Sequence, residues 1–219
     1  MSLCRRHFER TVAAREATAA VTAAPGASVP GTLGERMLTL LRMHQAKFDG
    51  IMSLATKIEA KREALPDYEA YVDGVLASGS AAQDDVLVWV MLWRLDVGDF
   101  DGALEIAAHA IRHGLSMPFN FARDVPTTLV ESIANAAVVD PEHASPEPLR
   151  AALALTADRD MHDQVRAKAH KALGLILSAT DKPAALDHFE AALKLDPKCG
   201  VKTARDKLRK ELEAANPAS

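Results

Sequence analysis

The chain is poor in aromatic residues, which make up 5% of its 219 positions, and it carries two cysteines, Cys4 and Cys199, near opposite ends. Two cysteines so placed give neither a disulfide framework nor the paired spacing of a zinc site. No metal and no cofactor are therefore expected. No apolar run approaches the ~18 residues of a membrane-spanning helix. The N-terminal arginines are not followed by an apolar stretch, and Glu9 and Glu16 argue against a transit peptide. These absences point to a cytoplasmic protein with no membrane partner. There is no G-x-x-x-x-G-K-[ST] motif, no glycine-rich dinucleotide turn and no nucleophile elbow, so hydrolysis of nucleotide through a P-loop is excluded. The eight histidines are scattered, without the His-Glu pattern of a zinc-binding helix.

What the chain has is alanine, which favours close-packed helices, and one strongly apolar stretch around which the rest is organised. Between Val86 and Leu95 nine of ten residues are apolar, including both tryptophans, Trp89 and Trp93. An element of that kind has no solvated face and must be wrapped on all sides. Val86, Val88 and Val90 lean towards strand. Asp84 and Asp85 favour a helix start instead, as N-cap and first-turn acid. The following Phe100 to His113 is plainly helical, with Ala103, Leu104, Ala107, Ala110 and Ile111 on one face and Gly114 as its stop. The two make a helical hairpin turning at Asp96–Asp99.

Other elements read the same way. A basic arm over residues 2–20 leads into a linker, Ala23–Gly34, rich in proline and glycine. From Glu35 to Leu65 the residues Met37, Leu41, His44, Phe48, Ile51, Ala55, Ile58, Arg62 and Leu65 alternate four and three positions apart. That is a heptad seam on a helix of roughly 45 Å. Such a stripe wants a partner, either another helix of the chain or a second subunit through Met37, Leu41, Phe48, Ile51 and Ile58. Tyr68–Ala77 reads as a short amphipathic element. Thr128 with Glu131 makes a capping box for Leu129–Val139, and Ser145-Pro146 starts a helix carrying Leu149 and Leu153. Val165–Leu177, Pro183–Leu195 and Val201–Ala215 complete the set.

The predicted fold is all-α: a basic N-terminal arm (1–34), a long coiled-coil-like helix (35–65), a stack of helical hairpins (66–199) and a basic C-terminal helix (200–219). A weak repeat supports hairpin stacking. Asp99, Ala103, Ala107 and Ala110 correspond, 82 residues later, to Asp181, Ala185, Phe189 and Ala192, a tetratricopeptide-like pattern.

The net charge of −4 conceals segregation. Lys/Arg against Asp/Glu number 10 and 6 over residues 1–65, 5 and 17 over 66–163, and 11 and 7 over 164–219. Basic ends suit nucleic acid or an acidic protein surface. Arg5, Arg6, Arg10, Arg15, Arg36, Arg42 and Lys47 are the candidates for double-stranded DNA. Lys202, Arg205, Lys207, Arg209 and Lys210 are the candidates for a protein partner or DNA. The acids Asp84, Asp85, Asp96 and Asp99, with Asp101 beside them, are the one carboxylate cluster. A two-metal nuclease would need such groups converging on ions about 3.5–4 Å apart, but capping and turn solvation already account for acids at these positions.

The runs Gly74-Val75-Leu76, Ala82 to Leu87, Val90 to Asp99, Gly102 to Ala107, His113 to Pro118 and Val165 to Lys171 resemble the small terminase subunit of temperate, contractile-tailed phages that package from cos sites, a family often labelled terminase, endonuclease subunit. The likeness extends from about Ala64 to Arg205. It implies a packaging role in the host bacterial cytoplasm: recognition of the phage DNA end, assembly as a homo-oligomer, and recruitment of a large terminase subunit that carries ATPase and nuclease. It implies no catalytic residue in this chain, and leaves a metal-dependent nuclease built on the four aspartates, or a helical adaptor without DNA, as the alternatives.

Overall fold

The computed structural model describes residues 3–20, 31–119 and 121–215, and most of the expected linker Ala23–Gly34 lies outside them. The described residues contain eleven α-helices and no strand. They form two compact units, Met1–Val125 and Pro126–Ser219. The segment 66–199, expected as one core, thus spans the boundary, while the expected arm and heptad helix fold into the first unit.

In the first unit the apolar stretch is a helix, α5 (Asp85–Val97), buried through Val86, Leu87, Val88, Val90, Met91, Leu92, Trp93 and Leu95. Asp84 caps its start by accepting from the Leu87 N–H. Gly98, at φ 81°, closes its end in the left-handed region, where glycine escapes the steric penalty of a Cβ. Asp99 then caps α6 (Phe100–His113), whose Ala103, Ile106, Ala107 and Ala110 meet α5 without solvent exposure. Full burial of a Leu- or Phe-sized side chain contributes about 1.5–3 kcal/mol, so the caps act chiefly to set where this apolar hairpin begins and turns.

The long heptad helix is corrected to two. α2 runs Leu33–Asp49 and α3 runs Leu54–Ala64, separated by Gly50 to Ser53. Gly50 ends the first helix, and the Ser53 hydroxyl accepts from the Thr56 N–H to start the second. The break lets both helices reach α5. Leu41 and Phe48 are consequently buried inside the unit, and the Phe48 ring meets Trp93 edge-on at 5.0 Å. Tyr68, with no exposure, packs on the same indole at 5.6 Å and hydrogen-bonds His44 Nδ1 at 2.9 Å. Met37, Ile51 and Ile58 are half-buried. The seam is thus intramolecular in its central residues.

A 3-10 turn, Leu65–Asp67, joins α3 to α4 (Glu69–Ser78), and α1 (Leu3–Ala20) docks on α4. This contact is made by small residues. A Cβ at Gly74 would stand 2.4 Å from the Arg10 carbonyl and 2.6 Å from the Ala13 Cβ, so only glycine admits so close a crossing.

In the second unit α7 (Val125–Val139) opens four residues before the expected Leu129, with Pro126 in its first turn, where a fixed φ and missing N–H cost nothing. α8 (Glu147–Leu155) packs on α9 (Asp163–Leu177), which pairs with α10 (Lys182–Leu195), followed by α11 (Lys202–Ala215). Gly174 admits the Phe189 ring, which would lie 2.5 Å from any Cβ there. Leu177, Ala185, Phe189, Ala192, Val201 and Leu208 form the core of this end. At the positions set in correspondence, Asp99 and Asp181 both cap, and Ala103 with Ala185, and Ala110 with Ala192, are fully buried.

Two outcomes follow from this packing. Phe48→Ala should destabilise the protein by about 3–5 kcal/mol, read as a lowered urea midpoint; an unchanged midpoint would contradict the intramolecular seam. Burial, the leading cause in each case, holds the His44, His109, His170 and His188 imidazoles below their ordinary pKa. The unfolded chain therefore takes up these protons first as the pH falls. Their contribution is intact above about pH 6.5 and is lost progressively below it. The melting temperature should fall from pH 7.5 to 5.5, and His170→Gln with His188→Gln should flatten that slope.

Candidate nucleic-acid interface

The acids come first, because a nuclease would need them together. The structure separates them. Asp84 and Asp85 lie at the start of α5, and Asp96 and Asp99 at its other end, about 16–18 Å away along the helix at 1.5 Å per residue. Each has local work. Asp84 caps α5 and accepts a 2.8 Å hydrogen bond from the Tyr71 hydroxyl. Burial raises the Asp84 carboxyl above its usual range, against the pull of those donors, and burial together with Asp84 raises Tyr71. Asp85 accepts from the Gln83 amide, Asp96 pairs with Lys61, and Asp99 caps α6 while pairing with Arg94 at 3.2 Å. Asp101 is a first-turn acid of α6. Among the described residues no group of three or more His, Cys, Asp or Glu side chains is placed to hold a metal ion.

The seven basic candidates are all exposed on the first unit. α1 carries Arg5, Arg6, Arg10 and Arg15. Arg6 pairs with Glu69 of α4 and so marks the docked side; Arg15, nine residues on, comes round to the opposite side at 3.6 residues per turn. Arg5 pairs with Glu9 at 2.8 Å in an i,i+4 arrangement. Exposed pairs of this kind contribute little in water, so a phosphate can take either arginine without a large loss. On α2 the buried face is Leu33, Leu41 and Phe48. Arg36, Met43 and Lys47, at i, i+7 and i+11, share an exposed line away from it, with Arg42 about a third of a turn further round.

The basic arm is a helix, α1, tied to the first unit at more than one point. Beyond the Gly74 crossing, the Ser80 hydroxyl donates to the Ala17 carbonyl at 2.7 Å. The Glu16 carboxylate accepts the first N–H groups of α2, from Leu33 at 3.1 Å and Gly34 at 3.2 Å. An anion there satisfies donors the helix cannot use itself and meets the positive end of its dipole. α1 and α2, the two helices that carry the cations, are thereby tied. No local sequence signal marks the Glu16 bond, because it joins residues 17 and 18 positions apart.

The basic residues of α11 are more engaged. Arg205 pairs with Asp206, Arg209 with Glu190, and Lys207 approaches Glu211, which Lys182 also holds. Lys202 and Lys210 are exposed, and Leu208 and Leu212 seat the helix on the core.

Residues 38–164 match the family model described as phage small terminase subunit. The chain is 43% identical over 218 residues to a terminase, endonuclease subunit of Escherichia phage P2, covering 97% of this chain and 86% of that protein. A probable terminase, endonuclease subunit of Haemophilus phage HP1 (strain HP1c1) is 34% identical over 82 residues, 37% of this chain and 29% of that protein. No solved structure matches.

The word endonuclease in those names gives the α5 acids a direct test of stability. Asp84→Ala should cost about 1–2 kcal/mol through the lost cap. Asp85→Ala should stay within about 0.5 kcal/mol, as for an exposed surface position. Chemical denaturation of the two variants checks this, and equal losses would contradict the capping role of Asp84.

Proposed function

Because the chain belongs to the phage small terminase subunit family, we propose that it binds the phage DNA end at a cos-type site and recruits and regulates the large terminase subunit, which cuts and translocates the DNA. The observation that carries this reading is the contrast on the first unit. Seven cations are exposed on α1 and α2, two helices tied to each other, whereas the α5 acids are divided between two ends of one helix and engaged in caps and ion pairs. Arg5, Arg6, Arg10 and Arg15 with Arg36, Arg42 and Lys47 supply the phosphate contacts, which position DNA without reading its sequence. The exposed lysines of α11, Lys202, Lys207 and Lys210, with Arg205 and Arg209, engage the large subunit. Self-association belongs to the same proposal. With Leu41 and Phe48 inside the unit, it uses surface other than the centre of the seam.

A metal-dependent nuclease in this chain would require Asp84 and Asp85 to meet Asp96 and Asp99, which the length of α5 opposes. A DNA-free adaptor leaves the basic surface without a role. No helix of the described residues is long and apolar enough to cross a membrane.

The decisive experiment puts the purified chain on cos-containing and scrambled duplexes with Mg²⁺ at several salt concentrations, with and without the large subunit. Preference for cos, and cutting only after the large subunit is added, is the expected result. Replacing Arg36, Arg42 and Lys47 by alanine should reduce the slope of log K against log salt by about 2.7, the loss of three phosphate contacts. Cutting by the chain alone, abolished by Asp85→Asn or Asp99→Asn, would overturn the reading. An unchanged salt slope would remove α2 from the interface.

A further inference from the structure

A cleft of about 370 Å³ opens on the first unit where the end of α3, the 65–67 turn, the start of α4 and the α5–α6 turn meet. It is lined by Arg62, Leu65, Pro66, Glu69, Arg94, Val97, Gly98 and Asp99. Apart from Glu69, which pairs with Arg6, its residues belong neither to the DNA reading nor to the α11 contact. Its lining is two guanidinium groups and two carboxylates around three apolar side chains, Leu65, Pro66 and Val97.

Arg94 is the unusual member. Its side chain is 18% exposed, and one Nη bonds Asp99 at 3.2 Å. The guanidinium lies against Gly102, where a Cβ would stand 1.7 Å from Nη1. Asp99 and the bare Gly102 backbone therefore fix its position. Its Nε–H is buried and has no acceptor. Arg62, on the opposite wall, is half-exposed; it pairs with Glu59 and donates to the Val97 carbonyl at 3.3 Å. Exposed ion pairs of that kind exchange readily, so Arg62 can turn to an incoming anion.

We propose that this cleft is a receptor for the carboxyl-terminal end of a partner protein, taking the terminal carboxylate between Arg94 and Arg62 and an apolar last side chain on Leu65, Pro66 and Val97. Three observations choose this occupant over a nucleic acid. The volume lies at the small end of ligand pockets, about 300–1,000 Å³, and holds one or two residues, not a duplex. With two carboxylates beside its two guanidinium groups, the lining carries no net positive charge to draw a run of phosphates. The apolar surface between the arginines has no counterpart in a phosphate backbone. Guanidinium forks suit carboxylates geometrically as well as by charge. The proposal does not depend on the DNA reading.

The test uses the full chain and four probes: an acetylated tetrapeptide ending in leucine as the free acid, the same peptide as its C-terminal amide, one ending in aspartate as the free acid, and a short 5′-phosphorylated oligonucleotide. Binding is read from amide chemical shifts of Leu65, Val97, Gly98 and Asp99. Saturable shifts are expected with the leucine free acid, at least tenfold weaker binding with the amide, and weaker binding with the aspartate peptide. Arg62→Gln, at the exposed rim, should weaken the free acid about tenfold while leaving the melting temperature in place. Val97→Glu, placed on the apolar floor, should abolish binding even where Arg94 variants fail to fold. Equal binding of acid and amide, no shifts at these residues, or shifts with the oligonucleotide in place of the peptide would each overturn the proposal.

Discussion

Everything in the first unit follows from a helix that has no side to show to water. α5 is apolar all round, and an element of that kind is stable only where neighbours cover its whole circumference. α6 covers one side by close alanine packing, and α2, α3 and the 65–67 turn cover others. Trp93 concentrates that dependence, since Phe48 and Tyr68 from two different parts of the chain both set their rings against it. Aromatic rings meeting edge to face add about 0.5–1.5 kcal/mol beyond their buried area. The early residues of the chain are therefore part of the core, and the cations they carry are held at its surface as a result.

The charge segregation acquires a physical meaning in this arrangement. Acids sit at the beginnings and turn of the α5–α6 hairpin, where helix N-termini favour them. Cations sit exposed on α1 and α2. Stability and binding thus draw on opposite signs of charge on different helices, so the DNA-facing residues of the proposal can change with little effect on the hairpin beneath them.

The hairpin was legible in the sequence because its signals are local: an acid before an apolar run, a glycine after it, and a second helix with one clean face. The heptad seam misled because the 4-3 spacing continues across Gly50 to Ser53, although Gly50 and the Ser53 cap were themselves visible signs of a stop. The docking of α1 was not legible. Ala13 and Gly74 leave no hydrophobic periodicity, since their contribution is the absence of bulk, and the Glu16 bond to α2 joins residues far apart in sequence. The four aspartates looked like a cluster because sequence distance hides the length of a helix. The Arg62–Arg94 cleft is assembled from four segments, and no local pattern announces it.

The crossing at Gly74 has one more consequence. That residue carries no charge and touches no proposed ligand, yet it fixes how far α1 stands from α4, and with it the reach of the arginines that α1 bears. Natural variation at this position would act as a spacer: a single methyl group would leave the chemistry of Arg5, Arg10 and Arg15 intact and change their stand-off from the body of the protein. Selection for the geometry of the basic surface can therefore act through an interior glycine.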